Sequence, residues 1–142
     1  MSDLDKAQKR FWNMVDPDGE DVIGMAQKCW RWRGAFDEKG RPRLKIDGKS
    51  MNANRAYCLL NGHEFQTGEC IVTLCRQSKC VNPAHHVVGS IEDVRNVTNA
   101  QLEPFYQSVL RGAYAARKIK LENVMEGFKI SKPVALAILS EE

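Results

Sequence analysis

Apolar residues along the chain recur with two periods, and the changes of period mark out its elements. Phe11, Trp12 and Val15 fall at helical spacing and predict a short helix over 5–15. Asp16-Pro17-Asp18-Gly19 interrupts that spacing with a turn signal. From Cys29 the period shortens. Trp30, Trp32 and Gly34, then Leu44 and Ile46, alternate with polar neighbours, which predicts two strands joined by a loop over 37–42. Asp47-Gly48 is a tight-turn pair, and Ala53–Leu60 reads as a helix ended near Asn61-Gly62. A short strand over 70–74 leads into a cysteine-rich loop. Beyond Asn96 the helical period returns: Leu102, Phe105, Tyr106, Val109, Leu110 and Ala113 follow the amphipathic template through three turns. Shorter helices follow around Leu121–Phe128 and over 133–139, with Ser131 placed to cap the last and Pro133 inside its first turn.

Hydrophobic residues make up 43% of the 142 and charged residues 27%, the balance of an ordinary globular protein. The length fits one compact domain or two very small ones. No run approaches the roughly 20 apolar residues of a transmembrane helix, so no membrane partner is expected. The polar start Met1-Ser2-Asp3-Leu4-Asp5-Lys6 lacks the features of a secretory leader, which makes the cytoplasm the expected location. Five cysteines, an odd number, suit a reducing compartment and metal binding better than a disulfide framework.

The net charge of +3 is modest but unevenly spread. Residues 28–55 hold nine basic side chains against three acidic ones: Lys28, Arg31, Arg33, Lys39, Arg41, Arg43, Lys45, Lys49 and Arg55. A local excess of this kind is the footprint expected of a surface that meets a phosphate backbone.

The strongest chemical signal is Cys75-Arg-Gln-Ser-Lys-Cys80-Val-Asn-Pro-Ala-His85. Two thiolates and an imidazole at four-residue gaps can fold round one zinc ion at about 2.0–2.3 Å, and Asn82-Pro83 supplies the turn that returns His85. A fourth ligand must come from elsewhere. Cys29, Cys58 and Cys70 are the candidates, and spacing does not choose among them.

Several motifs together resemble one family. Phe11-Trp12-Asn-Met-Val15, Cys29-Trp30-Arg-Trp32-Arg-Gly34, Asn54-Arg55-Ala56-Tyr57 and Asn61-Gly62 look like the HNH homing endonucleases of phages and introns. Leu74-Cys75, Cys80-Val81-Asn82-Pro83-Ala84-His85 and Gly89-Ser90-Ile91-Glu92-Asp93 continue in the same order, so the likeness spans about residues 10–96. The resemblance implies an α+β fold: a small zinc-stapled ββα-metal (His-Me finger) domain over 29–96 with a β-hairpin. An N-terminal helix and linker over 1–28 would precede it, and a helical segment over 97–142 would follow. By the same resemblance Cys29 joins Cys75, Cys80 and His85 on one structural zinc per chain, leaving Cys58 and Cys70 as buried thiols.

The catalytic positions depart from the family. A histidine activates water two residues before the first loop cysteine, and an asparagine nine residues after the zinc histidine holds the catalytic ion. Here those places hold Thr73 and Val94, and a further family histidine is Asn54. A threonine hydroxyl is no base near neutral pH and a valine offers a hard cation nothing. Asp93 or Asn96 as a metal ligand, with His63 or His86 as a base, would need a shifted register.

Binding does not depend on the lost pair. A hairpin carrying Arg31, Arg33, Arg41, Arg43 and Lys45 suits a DNA groove, with Arg55 near the backbone. The segment from Val124 to Leu139 resembles a helix-turn-helix, although Lys129 stands where a glycine is usual and Lys132 is nearly its only base- or phosphate-seeking residue. A dimerisation or packing tail is the other reading of these helices. The expectation is a DNA-binding protein of phage or mobile-element origin that regulates transcription without cutting. Its partners would be double-stranded DNA and a second copy in a homodimer. The alternatives are an active metal-dependent endonuclease or nickase, and a module that binds an acidic host protein such as RNA polymerase.

Overall fold

The computed structural model describes residues 3–98 and 102–140. Among them the chain is α+β, with six α-helices and three small antiparallel sheets of two strands each. Helix α1 (Asp3–Asn13) turns Ala7 and Phe11 inward. Strand β1 (Val15–Asp16) pairs with β2 (Arg31–Trp32), and β3 (Arg43–Ile46) pairs with β4 (Lys49–Asn52). Helix α2 (Ala53–Leu60) follows directly, its first turn capped by the Asn52 side chain, which accepts from the Asn54 and Arg55 amides. Strand β5 (Glu69–Thr73) pairs with β6 (His86–Ser90) across the cysteine-rich loop, and α3 (Ile91–Thr98) completes that unit. Helices α4 (Pro104–Ala115), α5 (Leu121–Phe128) and α6 (Lys132–Leu139) close the chain. No helix among the described residues is long and apolar enough to cross a membrane.

The side chains sort into two cores. Phe11, Trp32, Leu44, Ile46, Ala53, Ala56 and Val81 form an N-terminal core of α1, β2, the β3–β4 hairpin and α2. Val72, Leu74, Val97, Leu102, Leu110, Val124, Ile130, Val134 and Ile138 form a C-terminal one under β5, β6 and α3–α6. Gly89 lets α6 close on β6: a Cβ there would meet Val134 at 2.9 Å and Asp93 at 2.7 Å.

Three expectations change. The strand at Trp32 does not pair with the one at Leu44. The loop over 37–42 does narrow, at a Phe36–Pro42 bridge, but β3 pairs with β4 around Asp47-Gly48, where φ is 51° and 76°. Two positive φ values match the twist of a two-residue hairpin turn, and that turn sets the pairing. The basic residues assigned to one hairpin are therefore divided between two sheets and a loop.

In α4 the buried side is not the apolar stripe. Leu110 is buried, but Phe105, Tyr106 and Val109 are exposed and Gln107 is fully buried. Its amide donates to the carbonyls of Leu74 (2.9 Å) and Leu102 (2.8 Å), and buried carbonyls require such donors. Finally, Ser131 stands at the N-cap of α6 without using its side chain as a cap; its hydroxyl donates to Asp93 instead.

Candidate metal centre

Four side chains meet where the two cores adjoin. Cys29 lies on the loop before β2, Cys75 and Cys80 on the loop after β5, and His85 at the end of the short 3-10 turn Pro83–His85. All four are buried, and their ligand atoms lie within 4.8 Å of one another. Cys29 is thus the fourth member. Cys58 and Cys70 lie outside the group, half-buried rather than enclosed.

Local sequence shapes the loop. Arg76 takes a left-handed conformation (φ 62°) just after Cys75, and its guanidinium donates to the Thr98 carbonyl at 2.6 Å. The Asn82 side chain accepts from the Ala84 amide, starting the turn that returns His85, and donates to the Lys28 carbonyl at 2.8 Å, tying the loop to the Cys29 segment. The Cys80 carbonyl accepts from Asn54 Nδ2 (3.2 Å) and His86 Nε2 (2.9 Å). Asn54 therefore braces the metal loop from α2, a task that its place in the Asn-Arg-Ala-Tyr motif gave no hint of.

The geometry fits a single four-coordinate ion. A tetrahedral centre with sulfur at about 2.3 Å and nitrogen at about 2.0 Å has S···N edges of about 3.5 Å. Here His85 Nδ1 lies 3.6 Å from Cys29 Sγ and 3.5 Å from Cys80 Sγ. The thiols ionise interdependently. Hydrogen bonds from Cys29 and then Cys75 hold Cys80 as the thiolate, far below the ordinary thiol range. Cys75, bonded to Cys29 and Cys80 and buried, is pushed up. At Cys29 the bond to Cys75 pulls down, but Cys80 and burial outweigh it, and the thiol rises to about 12. A bound dication would hold all three as thiolates, because coordinating thiols are deprotonated.

The residues that the resemblance set at or near catalytic positions have other partners. His86 donates through Nε2 to Cys80, so Nδ1 accepts, and Thr73 donates its hydroxyl there at 3.2 Å. Val94 packs against the C-terminal core. Asp93 is buried, and its oxygens accept from the Ser90 amide, the Ser131 amide and the Ser131 hydroxyl, each at 2.8 Å. Burial alone would raise its pKa; these bonds outweigh it and hold the carboxyl below its ordinary value. Asn96 donates to the Lys129 carbonyl at 2.6 Å. His63 is half-buried against the Phe65 ring, 3.4 Å from Glu69.

The basic residues fall into two groups. Arg31 and Arg33, on and just after β2, reach Asp16 at 3.6 and 3.2 Å, and Arg31 also reaches Glu20 at 3.8 Å. Arg41 is held by Asp37 at 2.8 Å. Arg55 stacks 4.0 Å above the Phe65 ring. On the hairpin, Arg43 and Lys45 share the outward face, and Arg43 donates to the Ser50 carbonyl at 2.9 Å. Arg10 of α1 donates to the Lys45 carbonyl at 2.7 Å, bringing a further guanidinium to the same edge. Among the described residues Arg43, Lys45 and Lys49 take part in no ion pair. Lys132 is exposed at the start of α6, whose Val134, Ala135, Ile138 and Leu139 face the core.

Compared with known protein families, with curated proteins and with solved structures, the chain matches none.

Proposed function

We propose that the protein is a zinc-stapled DNA-binding protein built on an HNH-like frame that no longer cuts, and that it acts as a regulator by occupying its site. One observation carries the reading: β3–β4 presents Arg43, Lys45 and Lys49, with Arg10 alongside, without acidic partners among the described residues. Arg31, Arg33 and Arg41 carry the same charge but are already engaged by Asp16, Glu20 and Asp37. The hairpin therefore gathers on one surface several of the segment's charges that have no acidic partner and are left for phosphate.

Three cysteines and a histidine, closed and buried, are the donor set of a structural zinc site. Zinc supplies charge and cross-linking there; the ligands leave it no open position for substrate. The order strand, metal loop, strand, helix over β5, β6 and α3 supports the His-Me finger frame. The commitments of Thr73, Val94, Asp93 and Asn96 support the loss of catalysis. Helix α6 contributes less to DNA than a recognition helix would, since its outward side holds Lys132, Pro133, Leu136 and Ser140.

The test is duplex binding by fluorescence anisotropy across a salt series. Affinity should fall steeply with salt. Lys45→Ala and Arg43→Ala should each flatten the logarithmic slope by about one unit, while Arg33→Ala changes it little. Absence of duplex binding at low salt would turn the reading toward an acidic protein partner. Plasmid incubated with magnesium or manganese should stay supercoiled, and nicking that tracks with this chain would overturn the loss of catalysis.

A further inference from the structure

The outer side of α4 is apolar, uncharged and unoccupied by the protein's own core. Phe105, Val109, Gly112 and Ala116 recur at steps of four, three and four, so they line one face, opposite the buried Gln107 and Leu110. Phe105 is 57% and Val109 49% exposed. Ile23, the most exposed apolar side chain at 79%, lines one cleft with Phe105. The helix's one charged residue, Arg111, turns away from this face and donates to the carbonyls of Gly24 and Ile138.

We infer that this face is where two copies of the chain meet, with α4 packed antiparallel on the α4 of the second copy about a two-fold axis near Val109. Three features select a second copy rather than another apolar partner. First, the face is large at one end and small at the other. Phe105 and Val109 lie toward its start, and Gly112, Ala113 and Ala116 toward its end. A Cβ built on Gly112 meets nothing within 4 Å, so the surface there is open. Antiparallel pairing sets each copy's bulky end into the other's shallow end, the self-complementarity a two-fold interface requires.

Second, the charges sit at the ends with opposite sign: Glu103 precedes the helix, and Arg117 and Lys118 follow it. Reversing one helix on the other brings each Glu103 toward the opposing Arg117 and Lys118, whereas parallel pairing would set like beside like. Third, between those ends the helix itself presents no outward charge; the acidic Glu20 and Asp21 that line the cleft with Ile23 lie at its Glu103 end, on the side that would face the opposing Arg117 and Lys118. The inference is independent of DNA binding, although a dimer would offer two β3–β4 hairpins to one duplex, related by the same axis.

A single helix face with its flanking Ile23 lies at the small end of stable interfaces, so the association should be concentration-dependent in the micromolar range. Sedimentation of the metal-loaded chain should show a mass rising from monomer toward twice that value with concentration. Val109→Glu should hold it at monomer mass, with an unchanged circular dichroism spectrum to establish that it folds. Leu136→Glu, on the exposed side of α6, should dimerise as the parent does. A benzophenone-bearing residue at 105 should cross-link to the 112–116 stretch of the second copy. A parent that stays monomeric across that range, a dimer that survives Val109→Glu, or cross-links confined to segments outside α4 would each overturn the inference.

Discussion

The two cores are built from different materials. The N-terminal core is aromatic, with Phe11 packed 5.6 Å from Trp32 and 5.2 Å from Tyr57, and it is framed by strands of two and four residues. The C-terminal core is aliphatic and drawn from several helices and a sheet, with Ile138, Val134 and Leu102 fully buried. Such short strands cannot hold themselves, since an isolated hairpin is marginal in water. The three cysteines and His85 stand between the cores: Leu74, next to Cys75, belongs to the C-terminal one, and Val81, next to Cys80, to the N-terminal one. A metal held by these four residues would cross-link the half with the shorter strands to one built on ordinary apolar packing.

Metal removal should therefore have the largest effect, and an unequal one. Structural zinc contributes about 10–16 kcal/mol in small zinc peptides, as much as the whole stability of many domains. All three tryptophans, Trp12, Trp30 and Trp32, lie in the N-terminal part and report on it alone. Chelation, or Cys80→Ser, should shift their emission to the red and remove the tryptophan part of the near-ultraviolet dichroism, while much of the helical signal from α4–α6 persists. Simultaneous loss of both signals would show that the two cores fold as one unit.

How much of this was legible in the sequence follows from how local each signal is. Helices α2 and α5 have the predicted bounds, because each has an apolar 3.6 period within a few residues, and α2 also has the Asn61-Gly62 stop. The metal loop was equally readable, since the Cys75, Cys80 and His85 spacing and the Asn82-Pro83 turn are contiguous. Cys29 was not. It lies 56 positions from His85, so spacing left it level with Cys58 and Cys70, and only the family resemblance singled it out. Helix α3 escaped because Ile91, Val94, Val97 and Thr98, four of its eight residues, are β-branched and argue weakly for a helix. It is made by packing on β5 and by Asp93. Strand β4, Lys-Ser-Met-Asn, has no strand composition and exists because the Asp47-Gly48 turn delivers it to β3.

Asp93 joins β6, α3 and α6 within the C-terminal half, and its loss should be felt there. Asp93→Ala leaves the Ser90 and Ser131 donors without their acceptor and should cost about 2–4 kcal/mol. The pH dependence has a definite sign. The native carboxyl titrates below its unfolded value, so its contribution is complete above pH of about 4 and fades as pH falls through the native pKa. In urea melts followed by far-ultraviolet dichroism, the gap between parent and Asp93→Asn should be widest near neutrality and close at strongly acid pH. A gap independent of pH would mean that the ionised form of Asp93 is not what holds the junction.

The smallest expected effect is a gain, at the turn between α5 and α6. Lys129 adopts φ 56° and ψ 49°, the left-handed region, immediately before Ile130 enters the core. A side chain in that region costs roughly 1–2 kcal/mol, a cost glycine avoids. Glycine returns part of that by loosening the unfolded chain, and removing a cation from a helix C-terminus forfeits a few tenths of a kcal/mol. The Lys129 carbonyl, which accepts from Asn96, is backbone and survives the change. Lys129→Gly should therefore raise stability by about 0.5 kcal/mol. Because the turn lies wholly within the C-terminal core, the gain should appear in the helical transition and leave the tryptophan transition where it was. If both move together, the division between the two halves is one of composition and not of stability.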